Sequence, residues 1–194
     1  MIDNCRSYLS LFNAAWVCEE AGAISIDEKA SDGAGSAIFS SKQACIVVRA
    51  ESSSPLIWSL AQRKCADGAL ITFNKDGAHL HIVELKSKVT LKAWAHALQQ
   101  FEGMYLTSLA ISRLLKIFEV QSVTCYIAAK EYKLSDVVGA SASPSLIKTE
   151  VGKTRTFGGL EEWERRSIQL PHAIKASLIT GTRDRSGRAN FGLI

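Results

Sequence analysis

The sequence lacks the features of membrane and secreted proteins. No apolar run reaches the roughly 18 residues of a membrane span, and residues 1–6 do not place a basic segment before an apolar stretch, as a secretory signal does. The five cysteines are scattered and contain no CxxC pair, which argues against a disulfide framework or a zinc site. We therefore expect a cytoplasmic protein with reduced cysteines and no membrane association.

What the chain contains is typical of a globular domain. Of its 194 residues, 47% are hydrophobic and 22% are charged, which allows one domain with a sizeable core. The net charge of +4 is uneven, because residues 165–194 hold six Lys and Arg against one Asp. This basic end predicts contact with phosphate groups, notably through Arg183, Arg185 and Arg188; the alternative is a solvated tail.

The most informative segment is a predicted β-hairpin over residues 67–86. Arms over 67–73 and 79–86 flank a four-residue Asn/Asp/Gly turn, 74–77, of the kind that joins antiparallel strands. Pairing across this turn brings Asp67 beside Glu84, and side-chain alternation puts Glu84 and Lys86 on one face. Two carboxylates and a lysine therefore converge at one edge of a sheet.

An acid-x-Lys triplet is a weak signal by itself, because roughly one is expected by chance in this composition. The chain has three, which begin at Asp27, Glu84 and Glu131. The first lies in a polar stretch, and the third follows a strand that has no aspartate across an upstream turn. Only the second ends an alternating strand, has an acid across a turn and precedes a long helix. We therefore interpret it as functional rather than as a solvated charge pair.

Asp67 and the triplet Glu84-Leu85-Lys86 resemble the PD-(D/E)XK nuclease superfamily, whose members include restriction endonucleases, Holliday-junction resolvases and RecB-type nucleases. The resemblance covers residues 44–129, and the proline of the motif is absent. It implies an α/β fold with a restriction-endonuclease-like αβββαβ core, in which helices flank a mixed central sheet. We expect a nuclease-like core, 1–134, with a connector and basic C-terminal extension, 135–194, packed on the same domain.

The resemblance also implies a function. It indicates a Mg²⁺-dependent nuclease, with Mn²⁺ as a substitute, that hydrolyses phosphodiester bonds, in DNA rather than RNA, for restriction, repair or anti-phage defence. Asp67, Glu84 and the backbone carbonyl of Leu85 would hold the cation, and Lys86 would orient or deprotonate the attacking water. The alternative is a nucleic-acid-binding or assembly module of the same fold, without catalysis or dependent on a partner. A homodimer or a protein partner stays open.

Periodicity and breakers predict the remaining elements. They are a helix over 6–20 ended by Gly22, a polar loop over 27–35, strands over 37–40, 44–50 and 120–129, a short helix over 56–64, a helix over 91–118 capped by Thr90, a connector over 135–159, and a C-terminal helix with an edge strand.

Other polar residues are candidates for the site. RecB-type nucleases carry a glutamine and a tyrosine in the helix after the motif, where this chain has Gln99, Gln100 and Tyr105 at a different spacing. Two positions stay open for Gln100, beside the cation or on a solvated face, and His96 is expected at the surface. Relatives also place an acid from an early helix near the metal, for which the candidates are Glu19, Glu20 and Glu51.

Overall fold

The computed structural model describes residues 2–28, 35–50, 64–134 and 160–194, which form an α/β fold with a mixed eight-stranded sheet. The helices are α1 (Ile2–Arg6), α2 (Leu91–Leu114) and α3 (Leu160–Arg165), and the strands are β1 (Val17–Glu28), β2 (Gly35–Arg49), β3 (Gly68–Phe73), β4 (Ala78–Val89), β5 (Val120–Tyr132), β6 (Ser167–Leu170), β7 (Ile174–Thr182) and β8 (Arg188–Leu193). The sheet order is β1-β2-β3-β4-β5-β7-β6, and β8 pairs with β2. None of the helices in these described segments combines the length and the apolar character that a membrane span requires.

The predicted hairpin turn is confirmed. The Asn74 N–H donates to the Gly77 carbonyl over 3.0 Å, and the Asn74 side-chain oxygen accepts from the N–H groups of Asp76 and Gly77. An asparagine that bonds the backbone two residues ahead favours a turn over continued strand. Strands β3 and β4 therefore pair in the predicted register, with Gly68 opposite Val83.

The hairpin is part of a larger meander. Strands β2, β3 and β4 pair antiparallel in chain order, and β5 returns parallel to β4 after α2. One face of these strands is covered by α2, which packs Trp94 and Phe101 into a core with Leu80. On the other face, β1, the first half of β2 and β8 bury a second core that includes Ile26 and Leu70. Successive side chains of β4 thus enter opposite cores.

Helix α2 confirms the predicted helix, although it ends at Leu114 rather than at residue 118. Thr90 caps it, because its hydroxyl accepts from the Ala93 N–H over 3.2 Å. The chain that leads into β3 crosses α2 closely at Gly103, where a Cβ atom would lie 1.8 Å from the Lys64 carbonyl oxygen. Glycine at this position therefore permits the crossing.

The predicted N-terminal helix over 6–20 is wrong. Helix α1 ends at Arg6, and β1 begins at Val17. Gly22, predicted to end a helix, lies at a register shift between β1 and β2 with φ 79°. Pairing of β1 with β2 supplies its backbone hydrogen bonds and buries Ile24 and Ile26. This tertiary gain outweighs a local helical pattern, whose intrinsic propensity is a weak determinant.

Other boundaries also change. The predicted strands over 37–40 and 44–50 are one strand, β2. Of the loop predicted over 27–35, Asp27 and Glu28 belong to β1 and Gly35 begins β2, while residues 29–34 lie outside the described residues. Strand 120–129 is confirmed and continues to Tyr132. The C-terminal helix and edge strand are confirmed as α3 and β6, and the chain adds β7 beside β5 and β8 beside β2. The helix predicted over 56–64, apart from its last residue, and the connector over 135–159 lie outside the described residues.

Candidate active site at the end of strand β4

Glu84 is buried near the end of β4, with 1% of its surface exposed. It shares a face with Leu80 and Ile82, because alternate strand residues point the same way, and α2 covers this face. Glu84 Oε1 accepts a hydrogen bond from Lys86 Nζ, whereas Oε2 is buried with no hydrogen-bond partner. A buried polar atom without a partner is costly. Oε2 of Glu84 is therefore a candidate ligand atom.

Asp67 lies immediately before β3. Its side chain accepts a backbone hydrogen bond that would otherwise be made within the β3–β4 ladder. In a hydrogen-bonded antiparallel pair each residue offers both its N–H and its C=O to the other, and the register would pair Ala66 with Leu85. Instead, the Ala66 N–H donates to the Gln100 carbonyl over 3.1 Å, and the Leu85 N–H donates to Asp67 Oδ2 over 2.7 Å. The Leu85 carbonyl consequently points to the Asp67 side of β4.

Lys86 connects Glu84 to helix α2. Its ammonium donates to Glu84 Oε1 and, over 2.7 Å, to Gln100 Oε1. The Gln100 amide nitrogen in turn donates to the Cys65 carbonyl over 3.3 Å. Of the two positions open for Gln100, the structure shows the one at the site, where it holds both Lys86 and the chain before Asp67.

Burial raises the pKa of both carboxyls. For Asp67 burial raises the pKa to about 6, although the Leu85 N–H opposes the change. Burial, followed by the negative charge of Asp67, raises the pKa of Glu84 well above its usual range, and Lys86 opposes this. When two neighbouring carboxyl groups have raised pKa values, a nearby positive charge favours their ionised forms. The pair is therefore suited to a cation.

A third acid, Glu28, acts on the same carboxyl pair, although it was not among the predicted candidates for a third acid. Its negative charge raises the pKa of both Asp67 and Glu84. Glu28 ends β1, and the alternation of Ile24 and Ile26 with polar residues was the available signal for that strand. The predicted third acids differ: Glu19 pairs with Arg6 over 2.6 Å, Glu20 pairs with Arg49 over 2.7 Å, and Glu51 lies outside the described residues.

Arg183, predicted to contact phosphate, is instead buried, with 4% of its surface exposed. Its Nη1 donates to Glu28 Oε2 over 2.9 Å and to the Lys86 carbonyl over 3.1 Å. That prediction is wrong for Arg183, because its guanidinium is buried and donates to groups inside the protein. Arg185 and Arg188 are exposed and stay candidates for phosphate contact.

The structure separates the remaining helix candidates. His96, expected at the surface, is partly exposed on α2, and burial lowers its pKa, with Lys64 and Lys86 acting in the same direction. Tyr105 is 4% exposed in the core, because five helical residues turn it about 140° from Gln100. Gln99 is exposed and accepts from the Lys64 ammonium. The expected glutamine thus reaches the site and the expected tyrosine does not.

The triplet that begins at Glu131 is a surface charge group. Glu131 is exposed and pairs with Lys88 over 3.7 Å and with Lys133 over 3.0 Å. Exposed ion pairs of this kind contribute little to stability. Its position is consistent with the choice of the second triplet as the functional one.

The donor set of the site is the kind that a hard cation prefers. Across the described segments of the chain, no three His, Cys, Asp or Glu side chains form a metal-binding group. Mg²⁺ keeps several waters and is commonly held by one or two carboxylates. Asp67, Glu84 and the Leu85 carbonyl fit this requirement, and the unpartnered Oε2 of Glu84 is the observation that supports the fit.

Similarity to known proteins assigns no role to these residues. Comparison of the chain with protein-family models, curated proteins and solved structures finds no match. The chemistry of the site therefore rests on its own geometry.

Proposed function

We propose that the chain is a Mg²⁺-dependent nuclease that hydrolyses phosphodiester bonds, with DNA favoured over RNA. The observation that carries the proposal is the buried, unpartnered Oε2 of Glu84 in a cluster with Asp67 and Lys86. These are the residue types of the PD-(D/E)XK motif. The order β2, β3, β4, α2, β5, with β5 parallel to β4, supports a restriction-endonuclease-like core.

Each residue has a distinct role in this proposal. Asp67, Glu84 and the Leu85 carbonyl would hold the cation, which when bound supplies an acidified water and a polarised phosphate oxygen. Lys86 would orient the attacking water or take its proton, and its charge would offset the negative charge that develops on the phosphate. Gln100 keeps the ammonium in place through its 2.7 Å hydrogen bond.

A second candidate is a nucleic-acid-binding or assembly module that needs a partner for catalysis. The observation that favours it is the contact of Lys86 with both Glu84 and Gln100, which takes two of the three N–H donors of the ammonium. In this case Arg185 and Arg188, which are exposed, would contact phosphates. The two candidates differ in whether the purified chain cleaves nucleic acid.

The deciding experiment incubates the purified protein with linear, circular and single-stranded DNA and with RNA, in Mg²⁺, Mn²⁺ or EDTA. We expect cleavage with either cation and none in EDTA. Binding without cleavage under every condition would support the module instead.

Variants of the site make the test specific. Asp67→Ala, Glu84→Ala and Lys86→Ala should each lower cleavage by at least about 100-fold. The first two should also weaken Mg²⁺ binding, whereas Lys86→Ala should not, because lysine supplies no ligand oxygen. Lys133→Ala, in the surface triplet, is the matched control and should retain full activity. Full activity of Glu84→Ala would refute the assignment.

A further inference from the structure

Two charged side chains are buried in the described part of the chain, Glu84 and Arg183. Both are found where β4 ends, although Arg183 is 97 residues from its partner Lys86 in sequence. Removing a charge from water costs several kcal/mol per ion, and only good geometry with further hydrogen bonds repays it. The contacts of the buried Arg183 must therefore offset the cost of removing its charge from water.

The Arg183 guanidinium is held on several sides. Nη1 donates to Glu28 Oε2 over 2.9 Å and to the Lys86 carbonyl over 3.1 Å, and Nε donates to the Gly187 carbonyl over 3.1 Å. The group lies against Gly35, where a Cβ atom would come within 1.8 Å of Nη2. A planar guanidinium presents donors in a fixed fork, which the ammonium of lysine cannot reproduce.

These contacts fix two parts of the candidate site. The first part is the backbone of Lys86, whose carbonyl accepts from Arg183. Lys86 carries the proposed catalytic ammonium, and it directly follows Leu85, whose carbonyl is a proposed ligand. Glu28 is the acid whose charge acts on Asp67 and Glu84. One side chain thus joins the backbone of β4 to the third acid.

We infer that Arg183 is a positioning residue, whose guanidinium holds the Lys86 backbone and Glu28 and so keeps the end of β4 in the arrangement that binds the cation. The inference rests on the proposed function of Asp67 and Glu84. It makes Arg183, in the turn between β7 and β8, a structural part of the site rather than a phosphate contact.

The test is Arg183→Lys, which keeps the charge and removes the fork. Residues that support metal ligands typically change metal affinity by 10- to 100-fold when replaced, so Mn²⁺ binding, measured by electron paramagnetic resonance, should weaken by about that factor. Arg165→Lys is the control, because this exposed arginine also pairs with an acid, Glu161, over 2.7 Å. Its Mn²⁺ affinity should equal that of the wild type.

Unfolding midpoints in EDTA report the fold separately from the site, because a purely structural role would lower the midpoint without changing the affinity of the folded protein. Should Arg183→Lys not fold, the double variant Arg183→Met, Glu28→Gln removes both charges and leaves neither unpaired. It should show the same loss of affinity.

The outcomes separate the two ideas. Wild-type Mn²⁺ affinity in a folded Arg183 variant, with binding lost in Asp67→Ala and Glu84→Ala, overturns the positioning role and leaves the proposed function intact. Absence of Mn²⁺ binding by the wild-type protein overturns both. Weaker binding by the Arg183 variants alone, beside an unchanged Arg165→Lys, supports the inference.

Discussion

Replacing Asp67 with asparagine is expected to stabilise the metal-free protein at pH 8. Burial raises the pKa of the Asp67 carboxyl from its ordinary 3.8 to about 6. A carboxyl whose pKa is higher in the folded than in the unfolded chain costs stability when ionised. This cost is fully present above the folded pKa and disappears as the pH falls through the unfolded value.

The magnitude follows from the pKa difference. About two pH units correspond to about 3 kcal/mol, which solvent near this partly exposed side chain reduces to about 2 kcal/mol. Asparagine keeps an oxygen that can accept from the Leu85 N–H, so the hydrogen bond of 2.7 Å need not be lost. The gain at pH 8 should therefore be about 2 kcal/mol, and at pH 4 about 0.5 kcal/mol or less.

The assay is urea unfolding in EDTA at pH 8 and at pH 4. Asp76→Asn, in the exposed hairpin turn, is the matched control and should change stability by less than about 0.5 kcal/mol at both pH values. A loss of stability in Asp67→Asn at pH 8, or an equal gain at pH 4, would refute the reasoning from burial and charge.

Adding Mg²⁺ should reverse the order of stability. A ligand that binds only the folded state stabilises it by about 2.7 kcal/mol at a concentration a hundredfold above its Kd. The wild type should gain this stabilisation. Asp67→Asn should gain much less, because a neutral amide replaces the carboxylate ligand. An equal effect of Mg²⁺ on both proteins would place the cation elsewhere.

Three further predictions concern other parts of the molecule. Burial lowers the pKa of His81 to about 4, so the unfolded chain takes up a proton that the folded chain does not, and stability is lost as the pH falls from 6.5 towards 4. Relative to His81→Gln, the wild type should lose about 3 kcal/mol over this range in urea unfolding. Gly103→Ala should cost at least about 2 kcal/mol in thermal unfolding, because the added methyl group would meet a backbone oxygen at 1.8 Å, whereas Glu102→Ala beside it should cost less than about 0.5 kcal/mol. Arg185→Ala combined with Arg188→Ala should weaken nucleic-acid binding without regard to sequence and reduce the log–log salt slope by up to about 2 units, as fluorescence anisotropy would measure; an unchanged slope would mean that both arginines are only solvated.

The sequence determined the features that depend on neighbouring residues. The Asn74 turn and the strand alternation fixed the register of β3 with β4, and with it the approach of Asp67 to Glu84. The Thr90 cap and the apolar period determined helix α2. Turns, caps and side-chain alternation act over a few residues, so their signals are visible without the fold.

Tertiary structure alone decided what surrounds the acid pair. Segment 17–28 is a strand because β2 pairs along it, although its first residues fit a helical pattern. Glu28 and Arg183 meet across 155 residues of sequence, since β2 pairs with both β1 and β8 while β7 joins β5. No local signal marks such a contact, because a charge is solvated or buried according to which strands happen to pack around it. The basic C-terminal segment was therefore predicted to lie at the surface, whereas its Arg183 is buried and contacts the site.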